Sequence, residues 1–178
     1  MLVPYRTIIN TVYNTILGND LFNPSSIPSE RLINRLEKVG TIPGEPFPAV
    51  TIEMMESADE WRTLGYTPWH AMRIKISAWC RLPSSPTSRM LTDLGLSSIT
   101  TEWESEQEMY YLAEKLTEWL RGDETEAGNL RRTLGLKSLS EVNVGVPTLS
   151  VSFKRVTQGN FKLRIAEILA TFPHIKIN

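Results

Sequence analysis

The sequence predicts an α+β fold: a mixed, mainly antiparallel sheet with helices packed on one face, in the order α-α-β-β-α-β-β. Three observations predict it. Apolar and polar residues alternate in Phe47–Met54 and Met72–Cys80, as half-buried antiparallel strands require. Strict alternation returns in Thr148–Val156 and Phe161–Ile165, around a Gln158-Gly159-Asn160 turn. Apolar residues recur at helical spacing near the N-terminus and between Thr101 and Arg121.

Tyr5, Ile8, Ile9, Val12, Tyr13, Ile16 and Leu17 form one stripe, which predicts a helix from Pro4 to Leu17 ending at Gly18-Asn19. Asn23-Pro24-Ser25-Ser26 reads as a turn. A short helix is expected over Ser29–Val39, with Leu32, Ile33 and Leu36 buried and Gly40 as its stop. Pro43, Pro46 and Pro48 keep Thr41–Pro48 extended and outside a sheet interior. Thr101 and Glu104 match a capping box, opening a helix that buries Met109, Leu112, Ala113, Leu116, Trp119 and Leu120. Gly122 ends it. A turn of helix is expected around Leu130–Leu134 and a short strand over Glu141–Val146. In the closing hairpin Leu149, Val151 and Phe153 are expected inward.

The chain has 178 residues, 41% hydrophobic and 22% charged, which fits a single domain, 1–178, with its own core. Three excursions interrupt it, at about 55–70, 81–101 and 121–141. The formal net charge is −1, so no global field favours DNA, an anionic membrane or an acidic substrate. A single cysteine, Cys80, excludes an intramolecular disulfide and a cysteine-based metal site, and is expected to be a small buried side chain. No apolar run reaches membrane-spanning length, and Met1–Arg6 lacks the features of a signal peptide. The expected setting is a reducing cytoplasm, or a particle assembled there.

No catalytic, cofactor-binding or metal site is expected. His70 and His174 are the two histidines, and neither has ligand spacing. Nucleophile elbows and phosphate loops are absent. Glu102, Glu104, Glu106 and Glu108 suit a helix N-terminus, where partial positive charge stabilises acids. Glu102 and Glu106 share a face and could hold a hard cation. Arg131, Arg132 and Lys137 are too few, and too poor in aromatic neighbours, for a nucleic-acid footprint.

What remains points to contact. The 55–70 excursion carries Trp61, Tyr66 and Trp69, and reads as a protruding docking arm, since aromatic residues are enriched at interfaces. Trp79, Trp103 and Trp119 have core-like positions. Lys154, Arg155, Lys162 and Arg164 are expected near the outer face of the closing hairpin, as a local basic patch or as solubilising charge.

The opening helix, the Pro-rich lead into Pro48-Ala49-Val50-Thr51-Ile52, the excursion, Arg73-Ile74-Lys75-Ile76-Ser77-Ala78-Trp79, the long helix and the closing β pair together resemble the tail terminator (tail completion, or tail-to-head joining) proteins of tailed bacteriophages. That resemblance implies a fold related to tail-tube proteins. It also implies a structural, non-enzymatic virion protein without cofactors, assembled in the host cytoplasm. Its copies would form a hexameric ring that caps the tail tube and joins it to the head connector. DNA would pass through unread, which suits the near-neutral charge. Another neck or tail ring, such as a head-completion protein or a tail-tube subunit, is the nearest alternative. A small ligand-binding domain is the more distant one.

Overall fold

The computed structural model describes residues 5–38, 41–60, 69–121 and 148–176. The fold is α+β: a five-stranded mixed sheet with three α-helices among the described residues. Helix α1 is Tyr5–Leu17, followed by a single 3-10 turn, Asp20–Phe22. Strands β1 (Arg35–Glu37), β2 (Ala49–Glu60) and β3 (Trp69–Leu82) precede helices α2 (Ser88–Leu94) and α3 (Glu102–Arg121). Strands β4 (Thr148–Gln158) and β5 (Phe161–Lys176) close the order.

The sheet runs β1-β2-β3-β5-β4. Only β1 pairs parallel, with Leu36 opposite Val50; the other pairs are antiparallel. Register sorts the residues onto two faces. Val50, Ile52, Ile74, Ile76, Ala78, Cys80, Ala166, Ile168 and Ala170 lie on the helix-bearing face. There they meet Val12 and Ile16 of α1 and Met109, Leu112, Leu116 and Trp119 of α3 in one core. The opposite face carries a smaller cluster of Phe47, Ala49, Trp79, Leu163 and Ile165. Trp79 is therefore buried as expected, but away from the helices, and its indole Nε1 donates to Thr51 Oγ1 at 2.8 Å.

Four expectations are corrected. Residues 29–38 do not form a helix: the chain turns and then enters β1. Leu32, Ile33 and Leu36 are buried as expected, because a short apolar run serves either element equally well. The segment is held by non-local bonds. Asn34 accepts from Arg31, donates its amide to the Phe47 and Ser85 carbonyls, and its backbone N–H donates to Pro48.

Of the 55–70 excursion, 55–60 and 69–70 are strand, and 61–68 lie outside the described residues. β2 continues to Glu60 and β3 begins at Trp69, paired in register with a shift at Met54/Glu56. The 81–101 excursion contains α2, capped by Thr87 Oγ1 on the Met90 N–H at 3.2 Å and ended by Gly95 at φ 67°. Finally, β5 extends well beyond Ile165, since it lies inside the sheet between β3 and β4 and need not alternate there. The expected excursion at 121–141, the strand over Glu141–Val146 and the stops at Gly40 and Gly122 lie outside the described residues.

Candidate interaction surface

Helix α3 begins where the sequence places it. Thr101 Oγ1 accepts from the Glu104 N–H at 3.2 Å, and Glu104 Oε2 accepts from the Thr100 and Thr101 N–H groups at 2.7 and 2.9 Å. Those backbone amides hold the Glu104 carboxyl below the usual carboxylate range. The cap fixes the phase of the helix, and the phase divides its acids. Glu102 and Glu106, one turn apart, face the β4–β5 hairpin; Glu108 faces the core.

The hairpin turns through Gly159-Asn160, with Gly159 at φ 59°, a conformation that favours glycine. Its register sets Arg155 directly opposite Arg164, a like-charge pair that would be destabilising alone. Glu106 resolves the conflict. Arg155 grips it with a fork, Nε to Oε1 at 2.5 Å and Nη2 to Oε2 at 2.6 Å. Arg164 Nε lies 2.9 Å from the same Oε1, as an ion pair whose alignment is too poor for a hydrogen bond. The Arg155 fork holds Glu106 below the usual carboxylate range, against the opposing effect of burial. Glu102 pairs with Lys162 and, at 3.3 Å, with Arg164, and Lys162 lowers its carboxyl in the same way.

The expected outer basic patch is thereby corrected. Successive residues of a strand point to opposite faces, so Lys154 and Arg155 cannot share one. Arg155, Lys162 and Arg164 lie on the helix side, and Arg164 is only 5% exposed. Lys154 lies on the other face and pairs with Glu167 at 2.7 Å. All four cations are engaged within the chain. The Glu102/Glu106 pair likewise binds arginine and lysine, and no cluster of three or more metal-ligating side chains occurs among the described residues.

What the hairpin leaves uncovered is apolar. Among the described strands β4 lies at the edge of the sheet, and every residue in it is exposed except Leu149, which is half-buried. Val151 and Phe153 point to the helix side, as the alternation predicts, but the described helices cover them only in part: they remain 37% and 41% exposed. Phe153 meets Tyr110 of α3 edge-on, with ring centroids 5.0 Å apart, and Arg155 donates to the Tyr110 hydroxyl at 3.0 Å. Val156 and Phe161 are exposed on the opposite face, where Arg81 stacks on Phe161. Trp103 is not a core residue. It is 64% exposed and lies on the same stripe of α3 as Tyr110, two turns earlier.

Of the aromatic arm residues, Trp61 and Tyr66 lie outside the described residues, whereas Trp69 is placed in β3 opposite Glu60. Sequence reasoning missed Val156, Phe161, Tyr110 and Trp103 as surface candidates. Edge exposure is set by strand order, which no local pattern encodes. A second feature is an open cavity of about 520 Å³ lined by Arg6, Ile9, Asn10 and Lys38. Lys38 there donates to Asn10 at 2.8 Å and lies over the Tyr13 ring. No protein-family model matches the sequence, and no curated protein matches it either. Among the described residues no helix is long and apolar enough to cross a membrane.

Proposed function

We propose that this protein is a structural subunit that assembles with further copies of itself through the β4 edge, and that it does no catalysis. The observation that carries the reading is the edge itself. An exposed strand presents unpaired N–H and C=O groups and templates pairing with another chain, unless proline, a bulge or free charge blunts it. β4 contains no proline, its pairing with β5 has no register shift, and Lys154 and Arg155 are both drawn into internal ion pairs. Val151, Phe153, Val156 and Phe161 flank the edge on both sides, so a docked strand would gain apolar contacts above and below it.

Within that class, the order of elements favours a tail terminator of a tailed bacteriophage. On this reading the copies form a hexameric ring at the virion neck, between tail tube and head connector, with DNA passing through unread. Engagement of the four hairpin cations within the chain supports a conduit over a DNA-binding surface at this face, because phosphate binding needs free lysine and arginine. Head-to-tail contacts that close would make such a ring.

The test is native mass spectrometry of the purified chain, alone and with its tail-tube partner. The wild type is expected as a ring of fixed stoichiometry, and the Val151→Lys/Phe153→Lys variant as a folded monomer. A wild type that stays monomeric with the partner present, or a variant that still forms the ring, overturns the reading.

A further inference from the structure

The core of this protein contains a carboxyl group that the assembly surface does not use. Glu108 of α3 is 0% exposed. Ser84 Oγ lies 3.2 Å from both of its oxygens, and the Cys80 thiol of β3 is close enough for each group to shift the other's titration. Cys80 is itself fully buried, and its thiol is pushed well above the usual range by burial first and Glu108 second. Ser105, one turn earlier on α3, is buried with its Oγ unpartnered.

No described cation approaches this cluster to balance a negative charge. Arg164 of β5 is the cross-strand partner of Cys80, but its guanidinium goes to Glu102 and Glu106. On α2, Arg89 binds Asp93, and Asp93 accepts from Tyr111 on α3. An ionised carboxylate enclosed without a cation is strongly unfavourable, so the seated helix holds Glu108 as the neutral acid. The same helix clamps the β4–β5 hairpin through Glu102 and Glu106.

We propose that Glu108 is a proton-operated latch: protonated, it lets α3 seat on β3, and loss of that proton loosens α3 together with the hairpin that α3 clamps. Burial pushes its carboxyl up to about 8, against the opposing effects of Ser84 and Cys80. The proton is thus held far more tightly in the seated helix than in an opened one, where the ordinary carboxylate value near 4.5 applies. The latch is strongest below about 4.5 and weakens as pH rises. The weakening levels off above about 8, once both states have lost the proton.

Cys80 is the only cysteine, so it reports opening without ambiguity. The full chain is exposed to a neutral thiol reagent between pH 5 and 9, and each rate is divided by that of the denatured chain at the same pH. Wild-type protection of Cys80 is expected to fall roughly tenfold per pH unit up to about 8 and then flatten, as release of one proton on opening requires. In Glu108→Gln the curve should be flat; if that variant does not fold, Glu108→Leu serves, having no proton to lose. Amide exchange across residues 155–165, compared between wild type and variant at each pH, should show the same dependence. A pH-independent wild type, or a variant with the wild-type slope, overturns the latch. A hairpin that does not follow Cys80 overturns its coupling to α3.

Discussion

Glu106 and Glu108 stand two residues apart on one helix and meet opposite surroundings. About 200° of rotation separates them. Glu106 faces the hairpin, accepts a fork from Arg155, adjoins Arg164 and is held below the usual carboxylate range. Glu108 faces the core, meets the Ser84 hydroxyl and no described cation, and is pushed up to about 8 by burial. Neighbours decide the charge of a carboxyl far more than sequence position does. One side of α3 is therefore an ionic clamp on the hairpin, and the other is an apolar seat with one acid kept neutral.

The sharpest way to separate the two sides is to remove a large core contact. Trp119 is buried on the seat side, and Trp119→Ala should cost about 3–5 kcal/mol of folding stability. Urea unfolding would measure it; a loss under about 1 kcal/mol would mean that the seat is not where α3 gains its stability.

On the clamp side the expected loss is smaller. Glu106→Gln leaves Arg164 buried beside a neutral amide, which should cost about 1–2 kcal/mol, less than a fully buried pair would because Arg155 is 49% exposed. Sign distinguishes it from the latch. Because the folded-state value of Glu106 is lowered, its contribution is complete above the ordinary carboxylate value and lost as pH falls through the folded one. The difference between wild type and Glu106→Gln should thus shrink in acid, below the window in which Glu108 acts. Denaturant titrations at pH 7 and pH 3 would check this, and an undiminished difference at pH 3 would argue against an ionic clamp.

The smallest effect on folding belongs to Trp103. At 64% exposed it should change stability by no more than about 0.5 kcal/mol on substitution by alanine. A larger loss would show that Trp103 packs within the fold, contrary to its place on the outer stripe.

Much of α3 was legible beforehand. Thr101 and Glu104 announce its start, and the buried stripe from Met109 to Leu120 follows its period. Gly159-Asn160 likewise announces the closing hairpin. α2 was missed although its signals are present: Thr87 as cap, Met90 and Leu94 one turn apart, and Gly95 as stop. Pro83, Pro86 and the serines beside them instead suit an irregular excursion. β1 was missed for a different reason. Leu32, Ile33 and Leu36 fit a helix face, and only Val50 across the parallel pair and the bonds made by Asn34 make the segment a strand. Trp103 shows the reverse error, since a tryptophan in an amphipathic helix invites a core reading that only the direction of the stripe corrects.

By itself the sequence determined the local elements and which of their residues are apolar, because helix and strand periods, caps and turns act over a few neighbouring residues. It did so for α1, for the cap and stripe of α3, for the inner parts of β2 and β3, and for the closing hairpin. Only the tertiary structure decided that β5 lies inside the sheet and β4 at its edge among the described strands, that Arg155 and Arg164 share one carboxylate, and that Glu108 meets no described cation. Those outcomes rest on strand order and on the phase of α3 over the sheet. Both are set by contacts between residues far apart in the chain, which no local period encodes.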